Sequence, residues 1–152
     1  MKALLQRVSS ASVTVDHQLV SRINSGYLIL LGVSTGDTIE DAKVLTAKIS
    51  KLRIFADSND KMNLSIQDVG GSILLVSQFT LCANARHGNR PSFVAAMEPK
   101  VAEAMYLEFG KMLEQTGIPV QYGVFGAMMD VALVNDGPVT IMLESLNGVI
   151  VG

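Results

Sequence analysis

Four short runs rich in Val, Ile and Leu fill the first third of the chain, at residues 3–8, 12–15, 18–23 and 27–33, parted and followed by Asp16-His17, Asn24-Ser25-Gly26 and Gly36. Runs this short, with turn residues this close, predict a β meander. The period then changes. Asp37 and Glu40 have the spacing of an N-cap and an N3 residue, and Ile39, Ala42, Leu45, Ile49 and Leu52 recur at three and four, which predicts an amphipathic helix to about Leu52. Its apolar face must cover a sheet. Turn signals at Asp57-Ser58-Asn59-Asp60 and Asp68-Val69-Gly70-Gly71 leave residues 72–81 as a strand that ends in Ser77-Gln78-Phe79-Thr80-Leu81. A second helix from Pro99 to Gln115 carries Val101, Met105, Phe109 and Met112 on one stripe and stops at Gly117, with Pro119 beyond. Strands follow at 120–124, 129–134 and 139–143. With no linker, repeat or low-complexity stretch, the expectation is one α/β domain with mainly antiparallel strands and two main helices.

A chain of 152 residues can bury a core without disulfides or a structural metal. Apolar residues make up 49% of it and charged residues only 17%, a surplus that predicts at least a homodimer, with apolar surface hidden between subunits. No apolar run approaches the roughly 18 residues of a membrane helix, and the start reaches charge and strand-like alternation too soon for a signal peptide. The single cysteine, Cys82, fits a reducing compartment, so the expected location is cytoplasmic. A net charge of −2 excludes gripping nucleic acid by bulk electrostatics, and no DNA partner is expected. Contacts to RNA would have to be local, and the cationic concentration that stands out is Arg86-His87-Gly88-Asn89-Arg90, whose plain reading is a solvated loop.

Several familiar chemistries fail on spacing. Asp57-Ser58-Asn59 begins like a calcium loop, but Lys61 takes the next ligand position and no glycine follows. His17, His87 and Cys82 are too few for a zinc site, and the glycines form neither a phosphate loop nor a dinucleotide fingerprint, so neither metal nor cofactor is expected. Ser77, Thr80 and His87 suggest a hydroxyl nucleophile with a base, yet nothing in the sequence brings the base within hydrogen-bond reach or supplies a group to orient it. As a strand, the segment would place Gln78 and Thr80 on one face and Ser77, Phe79 and Leu81 on the other. Asn135-Asp136-Gly137-Pro138, taken alone, is a hairpin turn between two strands. Cys82 reads as a small buried apolar residue, and Met97, Met105, Met112, Met128, Met129 and Met142 read mostly as core filler.

Together the motifs say more. Gln6-Arg7-Val8, Gly32-Val33, Lys61-Met62-Asn63-Leu64-Ser65, Ser77 to Leu81, Arg90-Pro91-Ser92-Phe93, Phe125-Gly126-Ala127 and Asn135 to Thr140 resemble, in order, the pattern of the D-aminoacyl-tRNA deacylase family. The resemblance covers residues 1–145 and leaves 146–152 as a C-terminal tail of no assigned role. It implies a compact α/β subunit with barrel-like sheets, working as a homodimer whose sites lie at the interface. It implies that Ser77, Gln78, Phe79 and Thr80 line the pocket for the 3′-terminal aminoacyl-adenosine of aminoacyl-tRNA, and that Gly137 and Pro138, joined by a cis peptide, reach into the partner's pocket to read chirality. Arg7 then resembles the residue that holds this loop, Met129 a pocket-wall residue, and Asn135, Val139 and Thr140 its supports, with Arg86, His87 and Arg90 as tRNA contacts. The implied reaction is ester hydrolysis of D-aminoacyl-tRNA, and of glycyl-tRNA mischarged on tRNA(Ala). The ribose 2′-hydroxyl assists water in that reading, and Thr80 and Gln78 position rather than attack. Two other readings stay open on the residues: a non-catalytic tRNA-binding dimer of the same fold, and a small-ester hydrolase using Thr80 or Ser77 with His87.

Overall fold

One strand organises the molecule. In the computed structural model, which describes all of Met1–Gly152, the expected pair of strands at 3–8 and 12–15 is a single 14-residue strand, β1 (Lys2–Val15). Its first half pairs antiparallel with β3 (Gly26–Gly32), its second half with β2 (Gln18–Ile23), and its other edge pairs along its length with β8 (Asp130–Leu146). Beyond β3 lie β6 (Ser72–Ser77) and β7 (Val120–Tyr122), both parallel to their neighbours, and beyond β8 lies β9 (Val149–Ile150). The sheet order is β7-β6-β3-β1-β8-β9, with β2 beside β1, so the sheet is mixed and, as expected, mainly antiparallel. A separate ribbon pairs β4 (Phe55–Ala56) with β5 (Met62–Leu64).

Alternation along the strands supplies two cores. Ala3, Leu5, Tyr27, Ile29, Leu31, Ile73 and Leu75 face the helices α1 (Ile39–Lys51) and α2 (Pro99–Gln115), which bury Ala42, Leu45 and Ile49 and Tyr106, Phe109 and Leu113 against them. The opposite parity, Leu28, Leu74 and Val76, joins Val8, Ala11, Val13 and Ile23 in a second cluster where the sheet curls over. Burial on both faces is why the run Ile73-Leu74-Leu75-Val76 is continuously apolar.

Helix α2 has the expected bounds because its signals are local: the Glu98 side chain accepts the Lys100 and Val101 amides, Pro99 occupies the first turn, and Gly117 follows with φ +92°. The expected cap of α1 is displaced by one residue. Thr38 and Asp41 form the capping box, and Asp37 is unavailable because its carboxylate accepts the Ser34 amide at 2.6 Å and the Met1 ammonium at 2.7 Å. Residues 146–152 fold back through a tight turn at Asn147 (φ +52°) and Gly148 (φ +74°) to form β9, and the Gly148 amide donates to Asp41 Oδ1 at 2.9 Å. The methionines divide: Met97, Met105, Met112 and Met129 pack on the cores, whereas Met128 is 92% exposed and Met142 is 42% exposed.

Candidate functional site

The polar end of β6 is not strand. Pairing stops at Ser77, where the Gln78 amide makes a last bond to the Leu31 carbonyl at 2.8 Å, and Phe79–Cys82 turns as a 3-10 helix. The expected alternation of Gln78 and Thr80 against Ser77, Phe79 and Leu81 is therefore lost. The turn's first internal bond runs from the Leu81 amide to the Gln78 carbonyl, which leaves the Phe79 and Thr80 amides ahead of its hydrogen-bond ladder. Gly32 permits this packing, since a Cβ there would lie 2.8 Å from Leu81 Cβ and 3.2 Å from the Gln78 carbonyl. Both Phe79 and Thr80 are exposed, the Gln78 side-chain amide donates to Thr80 Oγ1, and Ser77 is half-buried. Met129 sits close by: its Sδ and the Val76 side chain both crowd Gly123, which pairs beyond the end of β7 with Leu75.

Phe79 also anchors the basic loop. Its ring meets that of Phe93 edge-on at 5.2 Å, and Phe93 follows a loop closed by reciprocal 2.8 Å backbone bonds between Asn84 and Ser92. Arg86, His87 and Arg90 lie on that loop, all exposed, and none of them forms a salt bridge. Loop and turn thus share one surface. The structure does not bring His87 into hydrogen-bond contact with Ser77 or Thr80.

The second motif is not a hairpin turn. Val8 pairs with Asn135 and Gln6 with Thr140, so both arms belong to β8, run in one direction, and lie on the same partner strand. Between them Asp136, Gly137, Pro138 and Val139 stand opposite Arg7 alone, and the surplus chain is extruded as a loop whose Gly137-Pro138 peptide is cis. The reason is the length of β1, which keeps pairing on both sides of the loop and prevents reversal. Two side chains fix its shape. Asn135 Oδ1 accepts the Val139 amide at 2.7 Å while Nδ2 donates to Thr140 Oγ1 at 3.0 Å, which closes the neck. Arg7 Nε donates to the Asp136 carbonyl at 2.9 Å and Nη1 to the Ile54 carbonyl at 2.6 Å. Gly137 has φ +146°, and a Cβ there would meet the Val139 amide nitrogen at 2.8 Å, so the tip admits no side chain. Gly137 and Pro138 are exposed, while Val139 turns back into the main core.

Within one chain the two motifs stand apart. Three strand spacings separate β6 from β8, about 14 Å across the sheet, and four residues of register, about 13 Å along it, separate Ser77 from Arg7. Sequence reasoning finds the residues at both places but misses what holds them: Gly32 is visible only as part of a resemblance, and nothing marks Ile54 as the far anchor of Arg7.

Comparison with known proteins bears on the same residues. A family model described as D-Tyr-tRNA(Tyr) deacylase matches residues 4–144. A protein named D-aminoacyl-tRNA deacylase from Exiguobacterium sp. is 56% identical over 144 residues, covering 95% of this chain and 98% of its own. Another of that name from Thermomicrobium roseum is 57% identical over 145 residues, covering 95% and 94%. Among solved structures, a c-Myc DNA Unwinding Element Binding Protein superposes with a TM-score of 0.91 at 44% identity, covering 96% of this chain and 99% of its own. A probable eukaryotic D-amino acid tRNA deacylase shares the fold with a TM-score of 0.77 at 17% identity, covering 93% and 97%. By sequence over nearly its whole length the chain belongs to the D-Tyr-tRNA(Tyr) deacylase family, a family of hydrolases.

Proposed function

We propose that this protein hydrolyses the ester of D-aminoacyl-tRNA, and of glycyl-tRNA mischarged on tRNA(Ala), in the cytoplasm and as a homodimer, releasing the amino acid and free tRNA. The observation that carries the reading is the separation of the motifs. A loop held outward by Arg7 and Asn135, remote from the Ser77–Thr80 pocket of its own chain, suits insertion into a second copy. Each dimer then holds two composite sites.

Chirality is read by exclusion. Main-chain carbonyls of the Gly137-Pro138 loop accept the substrate's α-ammonium, and the rigid backbone leaves no space where an L side chain would project. D side chains point away, and glycine has none, so both pass. In the pocket, the Phe79 and Thr80 amides are the donors for the oxyanion that develops as water attacks the ester carbonyl. The ribose 2′-hydroxyl assists that water, while Gln78 orients the Thr80 hydroxyl and Ser77 and Met129 complete the wall. Arg86, His87 and Arg90, beside Phe79, meet the acceptor end of the tRNA.

The test is deacylation of D-Tyr-tRNA, L-Tyr-tRNA and Gly-tRNA in parallel, with more ester than protein and chelator present. Loss of the D and glycyl esters with the L ester intact is expected. Equal loss of all three discards the exclusion filter, and no loss leaves a dimer that binds tRNA without turning it over. Mixing a Gly137-Pro138 loop variant with a Gln78→Ala variant tests the composite site directly: each alone is impaired, and mixed dimers recover activity because one of their two sites is intact.

A further inference from the structure

Beneath the 135–140 loop lies a cluster that the proposed chemistry leaves unused. Arg7 is a strut between two main-chain carbonyls, Asp136 in the loop and Ile54 at the exit of α1, both at hydrogen-bond distance, and its Nε also lies 3.6 Å from Asp136 Oδ2. A strut of fixed length still pivots, so the plane of its guanidinium decides how far the loop projects. Beside the guanidinium lies one aromatic ring, backed by a second. The guanidinium carbon lies 6.0 Å from the Phe55 ring centroid, and the Phe55 ring lies 5.2 Å from that of Tyr27 at a tilt of 32°. Phe55 is 6% exposed, Tyr27 is fully buried, and the Arg7 side chain is 12% exposed, so this cation–π contact is largely desolvated, the setting in which such contacts are strongest.

The rings are themselves held. Tyr27 faces Arg7 directly across the β1–β3 ladder, and its buried hydroxyl has no hydrogen-bond partner, so the ring rather than the hydroxyl accounts for its place there. Phe55 pairs with Leu64 across the β4–β5 ribbon, and nearby Arg53 donates from Nε to the Asn63 carbonyl at 3.0 Å and from Nη2 to the Asn63 side chain. The ribbon thus ties the end of α1 to the underside of the loop.

We propose that Phe55, backed by Tyr27, is a positioning residue for selectivity: by fixing the plane of the Arg7 guanidinium it sets the projection of the Gly137-Pro138 loop, and with it the discrimination between D and L esters. The inference rests on reading that loop as the chiral filter. Its test is the ratio of kcat/KM for D-Tyr-tRNA to that for L-Tyr-tRNA. Phe55→Leu removes the aromatic face while keeping an apolar side chain, and the ratio falls about threefold to tenfold through a rise in the L-ester rate. Phe55→Tyr restores the ring and the wild-type ratio. A merely structural role lowers both rates together through the folded fraction and leaves the ratio unmoved, and that result in Phe55→Leu overturns the proposal. If Phe55→Leu fails to fold, Arg53→Ala takes its place, since Arg53 is exposed and its loss loosens only the ribbon. A fall of about twofold in the ratio supports the strut, and an unmoved ratio overturns it. A wild-type protein that removes both esters equally overturns the chiral filter itself, which is a different failure from a selective wild type whose ratio ignores Phe55.

Discussion

The turn at 79–82, which follows the end of β6, and the loop at 135–140, which interrupts β8, are held in opposite ways. The turn is made of backbone bonds of its own, supported by a long 3.4 Å contact from Lys2 Nζ to the Leu81 carbonyl, and its placement against β3 depends on the missing side chain of Gly32. The loop takes its shape from side chains, Asn135 at the neck and Arg7 below. One is set by close packing and the other by directional donors. If the turn is the pocket wall and the loop the chiral filter, as proposed, the wall should tolerate polar change but not added volume, whereas the filter should fail on the loss of a donor.

The sharpest way to break this contrast is Arg7→Ala. It strips a charged donor from two main-chain carbonyls, and hydrogen bonds to charged groups contribute about 1.5–3 kcal/mol each. The expected outcome is a fall in D-over-L selectivity on the order of a hundredfold, measured as the ratio of kcat/KM values, with D-ester turnover much less affected. Arg7→Lys should not preserve the ratio either, because one ammonium on a flexible stem does not hold both carbonyls in a plane.

Gly32→Ala tests the other side. The new methyl group must displace Leu81 or the Gln78 carbonyl, and overpacking of this kind costs about 1–3 kcal/mol. Turnover of the D ester should fall about tenfold as the Phe79 and Thr80 amides move, while selectivity stays near that of the wild type. If Gly32→Ala moved selectivity and Arg7→Ala moved turnover, the assignment of wall and filter would be reversed.

How legible each region is in the sequence follows the same line. Helix α2 can be read to the residue because Glu98, Pro99, the apolar stripe and Gly117 all act within a few positions. The cap of α1 is misplaced by one residue because Asp37 is claimed by Ser34 and the Met1 ammonium, the latter a partner 36 positions away. The polar end of β6 reads as more strand because the contact that turns it is with Gly32 across the sheet, and the 135–138 motif reads as a reversal because nothing local says that β1 is long enough to pair with both arms. Local rules place the motif residues, and long-range partners decide their shapes. Phe55 and Ile54 leave no mark in the sequence because their part is played through Arg7.

A control away from both regions is Asp41, which joins the start of α1 to the 147–148 turn. Burial alone would raise its carboxyl, but the amides of Thr38 and Gly148, the Ser145 hydroxyl and the Met1 ammonium together outweigh burial and hold it below the ordinary carboxylate range. A carboxyl depressed in the folded state contributes stability that is present above the ordinary value of about 4 and lost as pH falls through the folded one. Asp41→Asn should therefore lower stability by about 1–2 kcal/mol at neutral pH, with the difference from wild type closing below about pH 4 in denaturant titrations. Selectivity and turnover per folded molecule should both hold. A change in either would mean that the wall and the filter are coupled through α1 rather than held separately.

The smallest effect concerns the loop beside the wall. Arg86 and Arg90 are exposed, free of acidic partners, and tied to the turn through Phe93 and Phe79, so they can add phosphate contacts without reshaping the pocket. If they and one or two other cations meet phosphates, the logarithm of tRNA affinity should fall with that of salt concentration at a slope of about −2 to −4. Replacing both arginines by glutamine should flatten the slope by about 1.5 to 2, weaken binding at low salt more than at high salt, and leave D-over-L selectivity alone. A slope near about −10 in the wild type would mean that tRNA is gripped along a far larger surface than this loop. A shift of selectivity in the double variant would mean that the acceptor end, rather than the Gly137-Pro138 loop, sets the orientation of the aminoacyl group, and the filter would then have to be sought on the wall.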